Sequence, residues 1–137
     1  MYQVPEGERP EMTAEKLYED PELDWIILTV NNITSVRDQW PLTNDELQSY
    51  VLEKYGSQAA LTEPHHYETK EITDTFGRVV LNKGLIVDEN FTFTYSSNTG
   101  TEITDLNASG PVSNFVYETL ENNKKRLINV LKREFLP

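Results

Sequence analysis

Cysteine is absent from the 137 residues, which excludes disulfide staples and thiolate metal sites. Long apolar runs are absent as well. The longest, Trp25 to Val30, falls far short of the roughly 20 residues that a membrane-crossing helix requires. Met1 to Pro10 carry charges of both signs and no apolar stretch, so no secretory signal peptide is expected there. Without that context, the N-x-S/T matches at Asn32, Asn90 and Asn107 read as chance. Basic residues are scarce. Twelve Lys and Arg stand against 23 Asp and Glu, a net charge of −11. Binding a nucleic-acid duplex requires clustered cations to displace counterions, so that class is disfavoured. Anionic membrane surfaces are disfavoured on the same ground. Glycine is sparse too, and its six copies form no Walker loop, no G-x-G-x-x-G and no G-x-S-x-G.

What remains is enough for one domain, or a domain with an arm, built on 37% hydrophobic residues. The few cations are unevenly placed. Lys124, Lys125, Arg126, Lys132 and Arg133 lie in the last fourteen residues, whereas Met1 to Asp24 is strongly acidic. That asymmetry suits a subunit docking between neighbours of different charge; two solvated faces would give the same pattern.

Three parts follow along the chain, with no internal repeat. Residues 1–60 read as helical. Ala14, Leu17 and Tyr18 share a helix face that closes near Glu19, and Asp20-Pro21 supplies a cap and first turn for a second helix. Leu23, Ile26, Ile27 and Val30 form the next stripe. Thr43 and Glu46 have capping-box spacing, flanked by Leu42 and Leu47, and Gly56 marks the stop of that helix. Residues 61–112 change period. Glu68 to Thr73 and Arg78 to Leu81 flank a turn at Asp74 to Gly77, and Phe91, Phe93 and Tyr95 alternate with threonines ahead of a turn at Ser96 to Gly100. Residues 113–137 begin at a Ser113 cap and run helically to about Arg126. Beyond it, Leu127, Ile128, Val130 and Leu131 fit either a helix or an extended tail, and the tail is preferred. The fold class is therefore α+β: a helical N-terminal region, a small antiparallel sheet in the middle, and a C-terminal helix with an extended tail.

Reactive chemistry is hard to find. His65-His66 is the only histidine pair, and neighbours on a regular strand point to opposite faces, so no shared metal ion is expected. No carboxylate cluster has calcium-loop spacing. The expectation is no enzyme, no cofactor and no metal. Interface candidates are easier to name. Trp25 and Trp40 both read as helical core, with Trp40 beside Pro41 also a candidate anchor for a partner. Tyr117, Glu118, Lys124, Lys125, Arg126, Leu127, Ile128, Val130 and Leu131 make up a candidate docking segment: a basic run leading into apolar residues that would be costly to leave in water. The segment either adds to a neighbour as an arm, ordered only with partners, or closes this protein's own core.

Residues 2–42 resemble a LysM module. The likeness rests on Tyr2-Gln3-Val4, on Met12 through Ile27 with Asp20-Pro21 and Trp25, on Val30-Asn31-Asn32-Ile33, and on Trp40-Pro41-Leu42. Glu19 stands where that family has glycine, and Glu6 to Pro10 lack its Gly-Asp-Thr-Leu entry, part of the glycan groove. Trp25 and Ile26 would fill the small core of such a module.

A fuller likeness adds the capped helix ending at Tyr55-Gly56, then Asn114 to Glu118 and Asn122 to Leu131. With these the chain resembles the small baseplate wedge proteins of T-even-type contractile-tail phages. The resemblance implies a structural subunit in six copies around the hub. Its implied partners are other wedge subunits, a sheath-initiator-like subunit and central hub proteins, with no nucleic acid and no membrane. It would sit in the virion tail baseplate, after assembly in the host cytoplasm. A LysM-type module binding peptidoglycan or chitin is the alternative function.

Overall fold

A computed structural model describes all 137 residues. In chain order the elements are β1 (Tyr2–Gln3), α1 (Pro10–Tyr18), α2 (Asp24–Val30), α3 (Val36–Gln39) and α4 (Asn44–Tyr55). The strands β2 (Pro64–Thr69), β3 (Ile72–Thr73), β4 (Val79–Leu81), β5 (Ile86–Val87), β6 (Phe93–Ser96), β7 (Glu102–Asp105) and β8 (Ser109–Ser113) follow. The chain ends with α5 (Asn114–Lys124) and β9 (Leu127–Ile128). It is thus α+β with small antiparallel sheets. No helix is long and apolar enough to cross a membrane. Two compact units form: Met1–Lys54 with Glu118–Pro137, and Tyr55–Tyr117.

The first unit brings the two ends of the sequence together. β1 pairs antiparallel with β9, Tyr2 opposite Ile128 and Gln3 opposite Leu127. Behind this short ladder lies a core of Val4, Ala14, Tyr18, Ile27, Trp40 and Ile128, with Leu17, Leu28, Val130 and Leu136 packed against it. Local chemistry shapes the helices that supply it. Pro10 opens α1 at a position where a missing N–H costs nothing, and Glu19 closes it at φ 60. That left-handed conformation normally favours glycine. Asp20 then accepts a hydrogen bond from the Glu22 N–H at 2.9 Å, starting the 3-10 turn that leads into α2. Asn32, at φ 54, ends the exit from α2.

The capping box at the start of α4 is reciprocal. The Glu46 N–H donates to Thr43 Oγ1 at 3.2 Å, and the Thr43 N–H donates to Glu46 Oε2 at 3.1 Å. Leu47 and Val51 on the same helix are buried, and Gly56 stops it at φ 84. Thr43→Ala should lower stability by about 1 kcal/mol through loss of one half of this box. Chemical denaturation checks it, and an unchanged midpoint would mean that the cap contributes nothing.

The second unit is the β part. β2 lies between β5 and β8, while β3–β4 and β6–β7 form separate hairpins. Asp74 organises the first hairpin: its carboxylate accepts from the backbone N–H of Phe76 and Arg78 and from Arg78 Nε, each at 2.9 Å. Gly77 takes the left-handed turn position at φ 81. Ile72, Leu81 and Ala108 form the buried centre, covered by Val80, Phe91, Phe93 and Tyr95. Ser113 caps α5 as expected, accepting from the Val116 N–H at 3.2 Å.

The expectation of a free C-terminal arm is corrected here. Ile128 is 4% exposed and Val130 and Leu136 cover the same core, so the segment closes the protein's own first unit. The cost of exposing these side chains to water is what draws the tail in.

Candidate functional site

The C-terminal segment is fastened by side chains that imitate backbone. Asn31 accepts from the Asn129 N–H and donates from Nδ2 to the Asn129 carbonyl, both at 2.8 Å. The Tyr18 hydroxyl accepts from the Leu131 N–H at 3.0 Å and donates to the Leu131 carbonyl at 2.9 Å. Arg133 Nε donates to the Leu17 carbonyl at 3.0 Å. A third two-point clamp lies on α5. Asn122, 3% exposed, accepts from the Leu42 N–H at 2.8 Å and donates to its carbonyl at 3.0 Å.

Contacts within the chain also engage the basic run. Arg126 pairs with Glu6 at 2.8 Å and reaches the Val4 carbonyl at 3.3 Å. Lys125 donates to the Asp38 carbonyl at 2.8 Å, and Lys124 to Glu121 at 2.6 Å. Glu118 is buried in an ion pair with Lys54. Among the apolar candidates, Ile128 is core and Val130 packs on it. Leu127 is 56% exposed, Leu131 is half-buried, and half-buried Tyr117 stacks on His65 in the second unit.

Of the two tryptophans read as core, one is buried and the other is not. Trp40 is 4% exposed and its Nε1–H donates to the Glu8 carbonyl at 2.8 Å, so it is not available as an anchor. Trp25, read as core, is 54% exposed. The signal was present in the stripe itself. At about 100° per residue, the centre of Leu23, Ile26, Ile27 and Val30 lies about 150° round the helix from Trp25. Met12 on α1 is also half exposed.

The groups with displaced protonation equilibria are structural. Burial works against the Glu8 carboxylate, yet hydrogen bonds from Thr13 at 2.6 Å, Tyr2 at 2.7 Å and Lys16 at 2.9 Å prevail and hold it below the usual range. Burial and the neighbouring Glu8 in turn push the Tyr2 hydroxyl up. Asp74 is likewise held low against its burial by the Arg78 and Phe76 contacts of its turn. In each case contacts of the local fold account for the direction of the shift. An open groove of about 770 Å³ runs along α4, lined by Asp45, Glu46, Ser49, Tyr50 and Glu53 among others. These side chains present charge and hydrogen-bonding capacity to solvent.

His65 and His66 depart from the regular strand assumed for them. The ladder between β2 and β8 slips between Pro64 and His66, a bulge that leaves His65 without an opposite residue. Both rings then fall on one side, with their Nδ1 atoms 2.8 Å apart.

Comparison with known proteins gives one family. The family described as Base plate wedge protein 53 matches residues 1–136. No curated protein matches the chain.

Proposed function

The chain belongs to the phage family of base plate wedge protein 53, and from that premise we propose that it links inner wedge subunits and neighbouring wedges around the hub during tail assembly. Membership makes it a baseplate protein of the virion tail that associates with other baseplate proteins. The finer roles are our reading: six copies, contacts to a sheath-initiator-like subunit and to central hub proteins, and assembly in the host cytoplasm. The single observation that carries this reading is the extent of the family match, which takes in both units. The chemistry of the first unit fits it. Its polar groups are committed to holding the two ends of the chain together, while large apolar side chains, Trp25 and Leu127, stay exposed.

Exposed aromatics of this kind anchor interfaces, because a ring buries much area at small entropic cost. Trp25→Ala together with Leu127→Arg is the test. The double variant should keep its denaturation midpoint close to wild type, since neither side chain is in the core. It should incorporate into baseplates at least about tenfold less well, as expected when anchor residues worth about 2 kcal/mol are lost. Complementation of a phage lacking the protein, scored by particle yield and by tail composition, reads the outcome. Normal incorporation would show that the first unit meets its neighbours elsewhere.

A further inference from the structure

We propose that His65 and His66 together chelate one late first-row divalent ion, Cu2+ or Ni2+, through their two Nδ1 atoms. The bulge in β2 is what makes this possible. On a regular strand the two rings would face opposite ways. With His65 as the extra residue, the rings stand 5.1 Å apart, nearly perpendicular at 85°, and the two Nδ1 atoms come within 2.8 Å.

The surroundings set the chemistry of each nitrogen. Glu68 Oε1 lies 2.8 Å from His66 Nε2. A carboxylate accepts and cannot donate, so the proton of neutral His66 sits on Nε2 and its Nδ1 carries the free lone pair. A carboxylate on the far nitrogen is the usual support of a metal-bound histidine, fixing the tautomer and raising the basicity of the ligating atom. His65 is fixed differently. Its ring lies flat on Tyr117, with centroids 3.7 Å apart and planes 9° from parallel. In the absence of an ion, His65 Nδ1 carries the proton shared with His66. Moving that proton to the exposed Nε2 frees a second lone pair without changing the charge of the ring.

The spacing selects among ions. With nitrogen–metal bonds of about 2.0–2.1 Å, a 2.8 Å separation subtends about 86° at the metal. That is close to the right angle of neighbouring positions in a tetragonal shell, which suits Cu2+ and Ni2+. A tetrahedral ion such as Zn2+ would need the nitrogens about 3.3 Å apart. At that apex angle each nitrogen–metal bond lies about 47° off the line between the nitrogens, so ion binding breaks the shared hydrogen bond and turns both rings until their lone pairs meet at the metal. Water fills the other positions in the isolated protein, on the exposed side of His65.

Titration of the full chain with CuCl2, followed by electron paramagnetic resonance, tests the assignment. The wild-type protein should take up one equivalent and show hyperfine coupling to two imidazole nitrogens. His65→Ala and His66→Ala should each show one nitrogen and bind at least tenfold more weakly, and Glu68→Gln should bind about tenfold more weakly. A single coupled nitrogen in the wild type, or undiminished affinity in either histidine variant, would mean an adventitious imidazole contact and overturn the proposal. If His66→Ala does not fold, as judged by circular dichroism, His65→Ala at the exposed bulge position decides the question alone.

Discussion

Removing residues 127–137 should unfold the first unit rather than yield a folded protein that lacks an arm. Three side chains in that segment, Ile128, Val130 and Leu136, belong to the core built on Val4, Ala14, Tyr18, Ile27 and Trp40. Each is worth on the order of 1.5–3 kcal/mol when fully buried. Their loss also exposes Val4 and Ile27, which are 1% and 0% exposed in the intact chain. β1 loses its only partner strand, and the clamps from Tyr18 and Asn31 lose the backbone they hold. A domain of ordinary stability, about 5–15 kcal/mol, does not survive a loss of that size. Hydrogen exchange and urea denaturation would show it as lost protection over α1 and α2. A truncated chain that still melts cooperatively, with α1 and α2 protected, would make the segment an arm after all.

Asn122→Ala should destabilise by about 1–3 kcal/mol, a large cost for a polar residue on a helix. Asn122 sits at 3% exposure and answers both polar groups of Leu42, where the chain turns from Trp40-Pro41 into the cap of α4. Alanine leaves the Leu42 N–H unpaired, and Arg126 reaches the Leu42 carbonyl only at 3.5 Å. A buried donor without a partner costs its full desolvation, not the modest net value of one hydrogen bond. Asn123 is a fair control on the same helix. It is exposed and only accepts from Arg126 Nε at 3.1 Å, so Asn123→Ala should cost less than about 1 kcal/mol. Urea denaturation of the two variants side by side checks the contrast; equal midpoints would remove the clamp from the account.

Whatever depended on near neighbours was legible in the sequence. The Thr43–Glu46 box, the Asp74–Gly77 turn and the Ser113 cap are each set by a few consecutive residues, and the chain folds as they dictate. What failed depended on distant partners. Nothing near Leu127 says that Tyr2 and Gln3 lie opposite it. The basic run reads as a docking segment because the groups that engage it and Asn122, namely Leu42, Asp38 and Glu6, lie far back along the chain. Trp40 is core, as read, but the partner that satisfies its Nε1–H, the Glu8 carbonyl, lies 32 residues away. Trp25 is a different case: its hydrophobicity argues for the core, but its position on the helix, opposite the apolar stripe, decides its exposure. For His65, a single extra residue in a ladder reversed a facing argument that holds only for regular strands.

The fastening of the tail also orders events in time. A ribosome that has released residues 1–117 has made every helix of the first unit except α5, yet the core strand Leu127–Ile128 and the backbone gripped by Tyr18 and Asn31 do not yet exist. The second unit, continuous from Tyr55 to Tyr117, can complete its sheets first. Closure of the first unit then requires joining segments more than a hundred residues apart, a late and slow step by the entropy of loop closure. During synthesis α1 and α2 therefore wait with their apolar face open, a period in which chaperones compete with aggregation. Any surface of the first unit that depends on β9 takes shape only after that closure.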